Sequence, residues 1–111
     1  MKLLTKSILR SLPPMRSQEK NPDPVAMVKF FNPTGAGTWF ATEYDPATEE
    51  FFGLVQINGE AELGYFSLRE LETYRSRLGL GIERDLYFSP TKLSVIRGVP
   101  RPEDRPELEC S

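Results

Sequence analysis

Apolar residues recur at helical spacing near the start of the chain. Leu4, Ile8 and Leu12 fall at i, i+4 and i+8, with Leu9 beside them. Thr5 precedes the run as an N-cap, Leu4 and Leu9 occupy the two positions of a hydrophobic staple, and Pro13-Pro14 stops the turn. The spacing predicts a short helix over 5–12. From Met15 to Pro24 polar positions dominate, and Asn21-Pro22-Asp23-Pro24 brings two X-Pro steps that favour an extended or turning path. This segment reads as a linker.

The pattern then becomes that of strands. Residues 25–31, 38–44, 50–57 and 62–66 are rich in apolar and β-favouring types. They are separated by turn sequences: Asn32 to Gly37, Asp45-Pro46-Ala47-Thr48, and Asn58-Gly59, the strongest hairpin signal in the chain. Thr34-Gly35-Ala36-Gly37-Thr38 lacks the Lys-Ser/Thr ending of a phosphate-binding loop and reads as hairpin loop. At Ser67 the period changes again. Ser67 and Glu70 form a capping box, and Leu68, Leu71, Tyr74 and Leu78 continue at helical spacing until Gly79 and Gly81. Residues 82–88 return to period two, with Ile82, Leu86 and Phe88 on one face, and Ser89-Pro90 opens a last helical turn through Val95.

Short turns between strands imply an antiparallel arrangement, and an apolar sheet face needs a cover. The expectation is an α+β fold: an antiparallel β-meander of four to five strands covered by the N-terminal helix and a helix at about 67–78. Residues 1–97 make one domain. Residues 98–111, rich in proline and charge, make a flexible tail.

Composition changes the picture by subtraction. The chain has 111 residues, no histidine and one cysteine, Cys110. Imidazole-dependent catalysis and zinc sites are therefore absent, and no internal disulfide can form. Cys110, in the expected tail, is not expected to have the positioned base that a nucleophile needs. No catalytic residue, metal or cofactor is expected. The N-terminus lacks a signal-peptide core and no apolar run approaches membrane-spanning length, so a cytoplasmic protein without a membrane partner is the expectation.

Charge is unevenly placed although the net charge is only −2. The basic residues Lys2, Lys6, Arg10, Arg16, Lys20 and Lys29 crowd the first 29 positions. Residues 30–68 contain no lysine or arginine but carry Glu43, Asp45, Glu49, Glu50, Glu60 and Glu62. Three readings stand. The basic N-terminus neutralises the acidic hairpins; an acidic face meets a basic partner; or Glu43 and Asp45, at i and i+2, offer oxygen ligands to Mg²⁺ or Mn²⁺.

Arg84 shares the register of Ile82 and requires a carboxylate if that face is buried; an acid of the lysine-free block is the obvious partner. Aromatic residues crowd the same strands. In each of Phe30-Phe31 and Phe51-Phe52 one ring points to the core and its neighbour to the other face. A row of exposed rings would be able to stack bases.

The pieces Leu4-Thr5-Lys6 with Leu12-Pro13, Lys29-Phe30-Phe31-Asn32-Pro33, Thr38 to Pro46, Phe51-Phe52-Gly53, Glu62 to Leu71 and Glu83-Arg84-Asp85 together resemble a bacterial family of small proteins classed as a domain of unknown function. Members are often carried on plasmids, phages and integrated elements. The resemblance covers all but the C-terminal tail. It implies a compact α+β domain, a mobile-element setting and a host protein as partner, and it carries no activity or catalytic residue.

The functional expectation is a non-enzymatic protein-interaction module with an acidic, aromatic-containing sheet surface. The candidate partner-binding residues are Trp39, Glu43, Tyr44, Asp45, Glu62 and Arg84. The alternative is nucleic-acid binding through the basic N-terminal segment and the sheet aromatics.

Overall fold

Thr5 caps the first helix, α1 (Lys6–Ser11), its hydroxyl accepting the N–H of Ile8 at 3.2 Å. The chain is seen in a computed structural model that describes residues 4–57 and 59–97. The tail expected over 98–111, with Cys110, lies outside the described residues, as do Lys2 and Asn58.

Behind α1, the Tyr44 N–H donates to the Pro13 carbonyl at 3.0 Å and ties the end of the helix to the sheet. Strands β1 (Val25–Ala26), β2 (Val28–Phe31), β3 (Thr38–Asp45), β4 (Glu50–Ile57) and β5 (Glu60–Ser67) follow. The helix α2 (Leu68–Thr73), two short strands β6 (Glu83–Arg84) and β7 (Thr91–Lys92), and α3 (Leu93–Arg97) complete the chain. The main sheet is antiparallel, in the order β5-β4-β3-β2-β6. Strands β2 to β5 form the expected meander. α2 and the segment after it then carry the chain to the far edge, where β6 pairs with β2. The α+β expectation holds, with five strands in the main sheet.

Both faces of the sheet are packed. One buries Phe30, Phe51, Tyr44 and Phe66 with Leu4 and Leu12 flanking α1, and with Leu68 and Leu71 of α2. Phe51 lies between Phe30 and Phe66, with ring centroids 5.4 and 5.2 Å away. The other face buries Ala26, Phe40, Leu54 and Leu93, with Phe88 against Phe40.

A β-bulge between Ala41 and Glu43 decides which side chains face which core. Strict alternation from Trp39 and Ala41 would place Glu43 among the Phe30–Phe51 rings. The extra residue, Thr42, is accommodated with its hydroxyl donating to the Phe52 carbonyl at 2.9 Å. Tyr44 thereby enters the core and Glu43 turns to the opposite face. Opposite the bulge, a Cβ on Gly53 would stand 1.9 Å from the Phe40 carbonyl oxygen, so only glycine fits.

Several elements differ from the sequence reading. The strand expected over 25–31 breaks at Met27, because Val25 and Ala26 pair with Lys92 and Thr91 in a second, two-stranded sheet. The strand expected at 62–66 extends over Glu60–Ser67. The helix expected to reach 78 ends at Thr73. Tyr74 turns to extended backbone, the Arg75 guanidinium donates to the Glu72 and Tyr74 carbonyls, and Leu78 is exposed with no surface to bury against. Period two over 82–88 yields only Glu83–Arg84. Asp85 then makes a turn, accepting from the Tyr87 N–H, which leaves Leu86 exposed and sends Phe88 to the other face. The last helix starts at Leu93 instead of following Ser89-Pro90, because Thr91 and Lys92 are held by β1.

The segment 15–24 is no free linker. The Glu43 carboxylate accepts the backbone N–H groups of Arg16 and Gln18 at 2.9 and 2.7 Å. The Gln18 side chain donates to the Val25 and Thr42 carbonyls and accepts the Val25 N–H, and Asp23 is buried.

Candidate functional site

Ser67 ends β5 and caps α2 in one step, its hydroxyl accepting the Glu70 N–H at 3.3 Å. The chain therefore leaves β5 at once, and among the described residues nothing is laid beside its outer edge. β6 closes the opposite edge with two residues; β5 leaves eight residues on this one.

The phase of the edge follows from the register. Ile57 pairs with Glu60 across the hairpin, and the Leu68 N–H reaches the Glu49 carbonyl at 2.9 Å at the other end of the ladder. Hydrogen-bonded and non-hydrogen-bonded pairs alternate between them. Glu60, Glu62, Gly64 and Phe66 thus turn their backbone groups to β4. Ala61, Leu63 and Tyr65 turn theirs outward. The outward residues also share a side-chain face, where Leu63 is 51% and Tyr65 61% exposed. The Tyr65 ring stands edge-on to Phe52 at 4.9 Å between centroids. A groove of about 300 Å³ separates Phe52, Leu63 and Tyr65 from the 16–24 loop, with Arg16, Gln18 and Glu19 on its polar wall. The other face of the same strand presents exposed Glu60 and Glu62. Farther along that face a groove of about 430 Å³ runs under α2, lined by Trp39, Ile57, Phe66, Glu70, Leu71 and Tyr74.

The six residues singled out from sequence do not converge. Trp39 is half-buried in the groove under α2. Tyr44 is core, its ring 4.8 Å from that of Phe51. Burial and the nearby carboxylates of Glu49, Glu72 and Asp45 hold its phenol above the usual tyrosine pKa. Glu43 is buried on two backbone amides. Asp45 lies on the same face as Glu43, half-buried, and accepts the Ala47 N–H at 2.9 Å in the β3–β4 turn. Glu62 alone of the six belongs to the open edge.

Arg84 pairs with Phe30, so it lies on β6, four strand spacings or about 19 Å from β5. Among the described residues its guanidinium has no carboxylate partner, and its Nε is buried without a hydrogen bond. The expected pairing with the acidic block is not made: Glu60 and Glu62 lie on the far edge strand, and Glu43 and Asp45, on β3, accept backbone N–H groups instead. Lys29 instead approaches Asp85 at 3.7 Å. Among the described residues no group of three or more acidic or thiol side chains is placed to hold a metal ion. No helix among them is long and apolar enough to cross a membrane.

Of the crowded aromatics, Phe30, Phe40, Tyr44, Phe51 and Phe66 are buried and Phe31, Trp39 and Phe52 half-buried; Tyr65 is the exposed ring of the sheet. Leu63 and Tyr65 were missed from sequence as site residues. The signal was present in the alternation of Glu60, Glu62 with Ala61, Leu63, Tyr65, but which strand would be the edge was not.

No curated protein and no solved structure matches the chain. A family described as "Protein of unknown function (DUF2958)" matches residues 3–98, the whole of the folded region just described. The chain belongs to that family.

Proposed function

We propose that this domain is a non-enzymatic protein-interaction module whose partner seats on the β5 side of the sheet. The observation that carries the reading is the pairing of exposed apolar side chains, Leu63 and Tyr65, with a strand edge that no other described residue pairs. An exposed edge is costly in aggregation risk unless it is covered or used. The exposed carboxylates of Glu60 and Glu62 on the same strand favour a basic partner. The nucleic-acid alternative has less support, since most of the sheet aromatics are spent on the two cores.

Site-specific photo-crosslinking in host cells tests this. A benzoylphenylalanine at Tyr65 is expected to capture a protein that the same group at exposed Ala47 does not, and Leu63→Lys is expected to abolish the adduct. Equal adducts at both positions, or none at Tyr65, would refute the proposal.

A further inference from the structure

Resting on the proposal of an interaction module, we infer that β5 takes its partner by antiparallel strand addition, and that the added segment alternates basic and apolar residues. The edge supplies the backbone half of the recognition. Ala61, Leu63 and Tyr65 present N–H and C=O groups that no described residue pairs, at every second residue, the spacing an incoming strand requires. β5 has no proline, no lysine and no bulge in its register with β4, and the charges it does carry, Glu60 and Glu62, select among incoming strands.

The side chains supply the specificity. On one face the incoming residues meet Ala61, Leu63 and Tyr65 beside the groove at Phe52, so apolar side chains are favoured there. On the other face they meet Glu60 and Glu62, so lysine or arginine is favoured. Gly64, between these acids and Phe66, leaves room for a larger ring, since nothing lies within 4 Å of where its Cβ would be.

A second copy of the chain fits this edge poorly. Two β5 strands paired antiparallel would gather Glu60 and Glu62 of both copies on one face with no cation between them. Like charges thus act against self-association and leave the edge to a basic strand.

The test uses three peptides and the full chain. The probe is acetyl-Thr-Val-Tyr-Val-Lys-Val-Lys-amide, whose lysines fall opposite Glu62 and Glu60 and whose central valine falls opposite Leu63. The controls are the same peptide with glutamates for lysines, and with the central valine N-methylated to remove the N–H that would reach the Leu63 carbonyl. By isothermal titration and amide chemical shifts, the probe is expected to bind at least tenfold more tightly than either control. Its shifts are expected to centre on Ala61, Leu63 and Tyr65. Glu62→Lys, an exposed change that leaves both cores intact, is expected to reverse the preference between lysine and glutamate peptides. Equal binding of the N-methylated peptide or no binding of any peptide would overturn strand addition, and a concentration-dependent dimer abolished by Leu63→Lys would overturn the basic strand as its occupant. If crosslinking at Tyr65 still succeeds after such a result, the interaction module stands and only its mode is wrong.

Discussion

The carboxylate of Glu43 sits between the backbone N–H groups of Arg16 and Gln18, accepting the second at 2.7 Å from a residue 25 positions earlier. An acid that looks like surface in the sequence is thus the anchor of the 15–24 segment. Two amides that would otherwise be unpaired beside the sheet are satisfied by one charged acceptor. Glu43→Ala is expected to cost about 2–3 kcal/mol in urea unfolding. The amides of Arg16 and Gln18 should lose their protection from hydrogen exchange first.

Asp23 plays the same part for the C-terminal helix. Its carboxylate accepts the Ser94 N–H at 3.0 Å and the Ser94 hydroxyl at 2.7 Å, capping a helix that lies 71 residues away in sequence. Asp23→Ala is expected to cost about 1–2 kcal/mol and Ser94→Ala about 1 kcal/mol. Loss of the cap should appear as fraying of α3 in amide exchange, with the β3–β4 ladder unchanged.

Gly53 has no permissible substitute. Gly53→Ala forces a methyl group onto the Phe40 carbonyl oxygen opposite the bulge, and the neighbour is backbone, which cannot step aside. A destabilisation of about 3 kcal/mol or more is expected by chemical denaturation. Gly64→Ala, on the open edge with free space around it, should fall within about 0.5 kcal/mol of the parent.

Tyr44 ties stability to alkaline pH. Its phenol is held above the usual value of about 10 by burial and by the carboxylates of Glu49, Glu72 and Asp45. The neutral form is favoured in the folded chain. Its contribution is therefore complete below pH 10 and is lost as pH rises through the folded value, because the unfolded chain ionises first. Thermal melts from pH 8 to 11.5 should show a fall in Tm above about pH 10. That fall should be shallower in Tyr44→Phe, the remainder coming from the other tyrosines and lysines.

The local devices of the fold were legible in the chain. The Thr5 cap, the Ser67–Glu70 box and the Asn58-Gly59 hairpin signal each rest on residues a few positions apart, and the short turns between strands impose the meander. What was hidden depends on distant partners. The bulge at Thr42 inverts the facing of Glu43 and Tyr44, and a period-two reading carries no mark of it. α2 ends at Thr73 although the apolar spacing continues, and Leu78 is left exposed. The 15–24 segment looked like linker because its partners, Glu43 and Thr42, lie on another strand. For the site, Glu62 was found and Leu63 and Tyr65 were not. Edge position is a property of strand order, which was settled only when β6 crossed to pair with β2.

Amide hydrogen exchange of β5 in the free chain tests the central claim most directly. An open edge predicts a strict alternation, with Ala61, Leu63 and Tyr65 exchanging fast and Glu62, Gly64 and Phe66 protected by β4. Adding the lysine-containing peptide should then slow the three fast amides and leave the others unchanged. Uniform protection along β5 in the free chain would mean that its outer edge is already paired, and would contradict the account.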